Sequence, residues 1–453
     1  MTIDTRLPNL FSEIMPFGGK LDEDNSWVKF SKLIPWKKLT TLHDSYFVSK
    51  RLRTVKDGRL MLGLILGKFR TGLSDRGILD FFYENPYFQY FCGLDQFASK
   101  GMKLVAHNSL LSKRRKQLGA AYFQKFEEEI LEILKEHKLV KGKKCLLDAT
   151  VFCSNISYPN DVKLLNKVRS WSCDKILQLK KTLNLPFIRT YKRIAKKVYL
   201  NFAKKKKKSK KLIRSSRKKM LQFTKRNIAQ LENILKQVQE KISSKNFELS
   251  YEIDLKAIYQ EIKQKLITAK EIYAQQSQMH KANNNSIEDR IVNFEQPWIR
   301  PIVRGKEGRS VEFGAKAHIS SSDGFALIDK VEHRAFSEKL ELKDSIKQHQ
   351  TRFNRKPKEL LIDDAYSSHD NKAFLRENNI EHSLKFTGKQ TDKKKIYHKR
   401  KMRKERSKIE GVIGNLKKDY SMKIVTLKIK EGAEIQARIA SSLFNINRAV
   451  RMI

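Results

Sequence analysis

The chain has 453 residues, with 95 Lys and Arg against 49 Asp and Glu, giving a formal net charge of +46. This length suffices for two or three domains with their own cores, and so large a cationic excess predicts a polyanionic partner, nucleic acid before an anionic membrane. No apolar run reaches the roughly 18 residues of a spanning helix. The four cysteines (Cys92, Cys145, Cys153, Cys173) contain no Cys-x-x-Cys pair, which argues against a zinc site or disulfide framework. No basic-then-apolar leader opens the chain, so the protein is expected to stay in the cytoplasm where it is made.

Residues 1–140 read as an all-α N-terminal DNA-binding domain. Gly58 to Phe69 carries apolar residues at helical spacing and Gly72 interrupts it. Ser74 then caps a second helix, with Asp75 in its first turn and Leu79, Phe81 and Phe82 facing inward. Two short helices around a glycine turn suit a helix-turn-helix and ordinary helical packing equally. Asn108 or Ser109 caps a further helix carrying Lys113, Arg114, Arg115 and Lys116, of which Arg114 and Arg115 are candidate phosphate contacts.

Lys144 to Phe152 is apolar and β-branched enough for a buried strand, with Asp148 in its middle. An aspartate there is either satisfied by backbone donors or one member of a site whose partners lie elsewhere. Residues 161–289 read as a basic helical insertion. Lys175 to Leu231 contains no Asp or Glu, yet Ile194, Val198, Phe202, Leu212, Met220, Ile228 and Leu231 keep helical spacing, which predicts long amphipathic helices in a hairpin or small bundle. A face without compensating acids repels itself, so phosphate binding is expected at the block holding Lys204, Lys205, Lys206, Lys207 and Lys208.

Asn283 to Ser286 marks a linker, after which strands take over. Pro297 to Pro301 reads as extended, because proline disfavours helix on its N-terminal side. Val311–Ile319 and Phe325–Val331 alternate on either side of Ser322-Asp323-Gly324, a hairpin pattern. A helix from about Leu340 to Phe353 follows, then a short apolar strand ending in Asp363-Asp364, a helix over Asp370–Asn378, a strand over Glu381–Phe386 and a last helix around Glu410. With the insertion removed, residues 141–160 and 290–453 form a mixed sheet with helices packed on it, a three-layer α/β domain. Sites in such sheets lie at strand carboxyl ends, so Asp148 and Asp363 meet if their strands are neighbours.

At about 100° per residue, offsets of +4 and +11 bring Glu410 and Lys417 to within about 40° and 20° of Arg406 on one helix face. A carboxylate between two cations suits a metal ion and a phosphate together. Asp148, Asp363 and Glu410 offer the hard oxygen ligands that Mg²⁺ requires for in-line phosphoryl displacement, while Arg406 and Lys417 can grip phosphates. An exposed helix with an i,i+4 ion pair accounts for Arg406 and Glu410 equally well.

This arrangement resembles the bacterial insertion-sequence DDE transposases with a ribonuclease H-like catalytic domain, in particular the insertion-sequence-five group. The resemblance rests on motifs in order along nearly the whole chain: Asn85-Pro-Tyr-Phe-Gln-Tyr-Phe-Cys-Gly93, Asp148-Ala-Thr150 with Ile156 to Asn166, Tyr191 through the lysine block, Arg300 to Lys306, Val311 to Lys316, Asp363-Asp-Ala-Tyr366 and Glu405 to Gly411. It implies a DNA transposase that binds the terminal inverted repeats of its element as a homodimer on DNA, and that cleaves and transfers strands with two Mg²⁺ ions, Mn²⁺ serving as substitute. It further implies that Asp148, Asp363 and Glu410 are catalytic metal ligands and that Arg406 and Lys417 belong to an R-x(3)-E-x(6)-K signature. Relatives carry Tyr where this chain has Arg403, so a tyrosine contact to the DNA end does not carry over, and Arg403 joins the candidate phosphate ligands. Two other readings fit the same residues: a metal-dependent DNA nuclease without strand transfer, and a catalytically decayed DNA-binding protein.

Overall fold

The computed structural model describes residues 16–19, 21–47, 57–102, 104, 107–243, 249–303, 311–386 and 388–453. The chain divides into two compact units, residues 1–155 with 302–453, and residues 156–301. The expected boundary near residue 140 falls inside the first of these.

The first unit opens with helices α1 (Ser26–Leu33), α2 (Trp36–Ser45), α3 (Gly58–Thr71), α4 (Asp75–Glu84), α5 (Pro86–Phe91) and α6 (Ser109–Glu136). Short polar residues set their starts: the side chains of Asn25, Asp57, Ser74 and Asn85 accept from the backbone N–H of Trp27, Leu60, Gly77 and Phe88. Gly72, at φ +73°, ends α3 in the left-handed conformation that residues with a Cβ disfavour. Helix α3 is apolar on nearly every face and is buried from Leu60 to Phe69, a core helix. Helix α6 breaks at Gly119 (φ +67°), and the Glu431 carboxylate accepts from Ala120 N–H at 2.8 Å, satisfying a donor that the break exposes.

Strand β1 (Lys144–Ser154) is the centre of the sheet. After the second unit the chain returns through β2 (Arg300–Val303), β3 (Val311–Ser322) and β4 (Phe325–Glu332). β3 lies antiparallel to both β1 and β4, and Ser322 pairs with Phe325 across a two-residue turn, with Asp323 at φ +53° and Gly324 at φ +83°. Positive φ at both central residues matches the twist of a tight hairpin. Helix α11 (Glu338–Phe353) leads to β5 (Glu359–Leu361), which runs parallel to β1. Then come α12 (His369–Glu377) and β6 (Glu381–His382), parallel to β5 at the sheet edge.

The chain ends with α13 (Lys393–Arg406), α14 (Lys408–Asp419), β7 (Ile424–Val425), which pairs in parallel with the end of β1, and α15 (Gly432–Val450). α15 is buried along most of its length. Its core is continuous with that of α3, α6 and the hairpin, through residues such as Leu443, Phe126, Ile130 and Phe325. On the opposite side of the sheet Leu147, Leu342, Leu360 and Leu375 form a smaller core beneath α11 and α12.

The second unit contains α7 (Asp161–Leu183), α8 (Lys192–Ala203), α9 (Lys210–Ser243) and α10 (Leu249–Lys281), packed through residues such as Ile176, Leu231 and Ile272. The 283–286 linker is tied to α9, with Arg214 donating to Asn283 at 2.6 Å and Arg217 to Asn285 at 2.8 Å.

Four local expectations differ from the structure. Residues 204–209 form a loop between α8 and α9, since six lysines and serines offer no apolar residue to hold a helix face. Pro297 and Trp298 lie in a turn, with Ile299 N–H bonded to the Gln296 carbonyl at 3.2 Å, and extension begins only at Arg300. β6 stops at His382 because the Ser383 hydroxyl takes over the bonding, accepting from Ile362 N–H at 2.8 Å and donating to its carbonyl at 2.5 Å. Ser407 separates α13 from α14, yet its backbone stays helical (φ −57°, ψ −18°), so the face carrying Arg406 and Glu410 survives the break. Of the motif Arg300–Lys306, residues 304–306 lie outside the described residues.

Candidate active site

β1 and β5 are neighbours and parallel, with Leu146 opposite Leu361. Extending that register by two places sets Asp148 level with Asp363, where the chain leaves β5 for a 3-10 turn over Asp364–Tyr366. Both side chains are held locally: Asp148 Oδ1 accepts from Ala149 N–H at 2.8 Å and Asp363 Oδ1 from Ala365 N–H at 2.9 Å. α14 brings Glu410 and Lys417 to the same place, and Arg406 arrives at the end of α13. One cavity of about 700 Å³ is lined by Asp148, Asp363, Glu410, Arg406 and Lys417.

The same cavity is lined by Glu338 and Lys316, which sequence reasoning missed; their ion pair closes at 2.8 Å. Glu338 stands in the first turn of α11, where an acid ordinarily reads as a partner of the helix dipole. The signal available was its place directly after a hairpin whose first strand borders β1.

Burial pushes the Asp148 carboxyl above the usual carboxylate range; the Ala149 N–H opposes this, while Glu338 and Asp363 add to it. Burial likewise raises Asp363, with Glu338 adding and the Ala365 N–H and Arg406 opposing. Glu410 is 61% exposed, and Arg406 Nη2 donates to its Oε1 at 3.2 Å. Among the described residues no three Asp, Glu, His or Cys side chains converge closely enough to hold a metal ion as they stand. All three expected acids line the one cavity, with Glu410 bonded there to Arg406.

Asp364 has a different task. Burial raises it, but Lys385 and Arg403, each 3.1 Å from its Oδ2, outweigh burial and hold it below the usual range. Arg403 is thereby committed to a carboxylate beside the site. Behind the acids, the buried Tyr366 hydroxyl is 2.7 Å from His318 Nε2, and His318 Nδ1 lies 3.1 Å from Ser345 Oγ and 3.5 Å from Asp329 Oδ2. Asp329 is also bonded to Arg352; burial raises its pKa, and Arg352 and His318 overcome burial to hold it well below the usual range.

The remaining candidates divide. Lys204, Lys205, Lys206 and Lys207 are exposed in the α8–α9 loop, and Lys208 is half-buried, its Nζ bonded to the Lys205 carbonyl at 2.6 Å. Arg114 and Arg115 are not phosphate contacts in this structure. They are 5% and 3% exposed; Arg114 lies 3.8 Å from the Phe47 ring centroid and Arg115 is paired with Asp75, which also binds Lys68 at 2.9 Å. These arginines hold α6 against α4 and the end of α2.

Residues 16–117, which span α1 to α5 and the start of α6, match the family described as "Transposase domain (DUF772)". That match supports a transposase. A protein of Rhizobium meliloti described as "Uncharacterized protein ORF8 in nfe locus" is 26% identical over 177 residues, covering 38% of this chain and 80% of that protein. No solved structure matches the chain. Among the described residues no helix is long and apolar enough to cross a membrane.

Proposed function

We propose that this chain is a DNA transposase of the DDE type, with Asp148, Asp363 and Glu410 as its acids. The observation that carries the reading is the single cavity in which residues from β1, the end of β5, α13 and α14 meet, far apart in sequence and of the chemistry phosphoryl transfer needs. The transposase-domain match lies in a different stretch of the chain and supports the reading independently. The sheet also supports a ribonuclease H-like catalytic domain interrupted by a basic helical insertion, since β1 is flanked by an antiparallel hairpin on one side and a parallel strand on the other.

The donor set fits Mg²⁺: carboxylate oxygens only, two of them raised by burial and by neighbouring acids, a state that a divalent cation relieves. Asp148 and Asp363 would hold it, with Glu410 joining. The Arg406–Glu410 bond is a half-exposed i,i+4 pair of the kind worth about 0.3–0.5 kcal/mol, so it offers little resistance. Bound Mg²⁺ supplies charge neutralisation at a DNA phosphate and acidifies an attacking water or 3′-hydroxyl. Arg406, once released, and Lys417 grip the phosphates on either side of the acids. Arg403 acts through Asp364, fixing the turn that carries Asp363. Lys204 to Lys207 bind further DNA phosphates, and the protein acts on DNA as a homodimer.

The test is a strand-joining assay with the full chain, Mg²⁺ and a pre-cut DNA end taken from the inverted repeats flanking the gene. Joined products are expected for the natural protein and none for Asp363→Asn or Glu410→Gln. Release of cut strands without joining would replace the proposal by a hydrolytic nuclease, and DNA binding with no cleavage by any of the three proteins would leave a decayed binding protein.

A further inference from the structure

A second cavity, of about 680 Å³, opens at the sheet edge between α12, β6 and α13, and shares no lining residue with the acid cavity. Its wall carries six Lys and Arg side chains: Lys372, Arg376, Lys385, Lys394, Lys395 and Lys399. Lys385 stands 3.1 Å from Asp364 and Lys395 3.9 Å from Asp392. Among the described residues Glu381 is the one acid in the lining, and its carboxylate is 2.9 Å from His398 Nε2. The lining also holds the apolar Ile380 and Met402, 4% and 3% exposed, and Phe386, whose ring centroid is 4.0 Å from Lys399 Nζ.

Among the described residues the buried His382 Nδ1 has no hydrogen-bond partner, and burial, with Lys399, Lys372 and Arg376 adding to it, pushes the imidazole down to about 4. Burial, Lys372 and Arg403 also lower the Lys399 ammonium. An anion from outside is favoured beside a buried polar group lined by several cations. A cavity of several hundred Å³ lined by both charged and apolar side chains is of the size and character that hold a small ligand.

We propose that this cavity is a nucleotide site, with a phosphate among Lys372, Arg376 and Lys399 and a base against Ile380, Phe386 and Met402. The nucleotide is either free or one unit of a DNA strand, and the two sources share this chemistry. The site stands on its own lining and does not depend on the acid cavity being catalytic.

The experiment titrates the full chain with ATP and, separately, with a fluorescein-labelled four-nucleotide single strand at fixed salt. The double variant Lys372→Gln/Arg376→Gln is compared with Lys125→Gln/Lys347→Gln, which removes the same charge from exposed positions on α6 and α11. Equal melting temperatures establish that both variants are folded. The pocket variant is expected to weaken at least one ligand about tenfold or more, the scale of lost charge-assisted contacts, and the control less than about threefold. Loss of ATP binding assigns the site to a free nucleotide; loss confined to the oligonucleotide assigns it to a strand. Equal weakening by both variants, or no measurable binding of either ligand to the natural protein, overturns the proposal.

Discussion

Asp148 and Asp363 are acids whose charge costs the fold stability, and that sets their pH behaviour. Each has a folded pKa raised above its unfolded value, so the cost is full at neutral pH and disappears as pH falls into and below the ordinary carboxylate range. Asp148→Asn should therefore melt higher than the natural protein at pH 7 without divalent cations, and this advantage should shrink as pH is lowered. The same variant should lose strand joining by at least about 100-fold, beyond what loss of a mere supporting partner of a metal site costs. A lower melting temperature at pH 7 would show that Asp148 is a structural residue. Mg²⁺ at ten times its dissociation constant should stabilise the natural protein by about 1.4 kcal/mol and Asp148→Asn not at all. Glu338 raises both aspartates, so Glu338→Gln should move the acidic limb of the pH–activity profile to lower pH; an unmoved limb excludes coupling through charge. Three acids of the cavity were legible because each stands against an apolar or amphipathic pattern. Glu338 was not, since a glutamate in a first helical turn has an ordinary use. Arg114 and Arg115 misled because Phe47 and Asp75, which bury them, are remote in sequence and a run of cations carries no mark of its partners.

Elements were legible where period and punctuation agreed. The α3–α4 turn, the β3–β4 hairpin and the acid-bearing end of β5 each joined a clear apolar pattern to Gly, Ser or Asp at a position with a backbone reason. Ser383 ends β6 by bonding Ile362, a distant residue, so the apolar run beyond it still looked like strand. The pairing of β1 with β5, which makes the site, depends on long-range packing that no local pattern encodes. One buried link bears on that packing. Glu127 on α6 accepts from Arg438 on α15 at 2.8 Å, from Ser441 at 2.8 Å and from Ile328 N–H in β4 at 2.9 Å. Both charged side chains are nearly inaccessible, at 4% and 6%. Removing one partner strands a buried charge, which costs about 3–5 kcal/mol. Arg438→Met should lower the urea midpoint by that amount of stability without changing the slope of the transition, whereas a loss below about 1 kcal/mol would mean the link is incidental.

For the whole molecule, charge was the most legible property and the least specific, since composition announces a polyanion but not where it lies. The acid-free run from Lys175 to Leu231 makes the second unit one candidate place, where Lys204, Lys205, Lys206 and Lys207 stand exposed on a loop. The salt dependence of DNA affinity measures how many of these cations displace counterions. Each phosphate neutralised adds about 0.9 to the magnitude of the slope of log affinity against log salt. Replacing all four lysines by glutamine should therefore flatten the slope by about 3.6 if every one meets a phosphate. The melting temperature should stay unchanged, because exposed loop lysines bury nothing. Fluorescence anisotropy with duplex DNA between about 50 and 200 mM salt reads both slope and affinity, a range over which a multi-contact binder loses orders of magnitude. A slope unchanged within 0.5 would remove the loop from the DNA interface and move the search to other basic faces of the molecule, while a flattening near two would assign half of the lysines to phosphates.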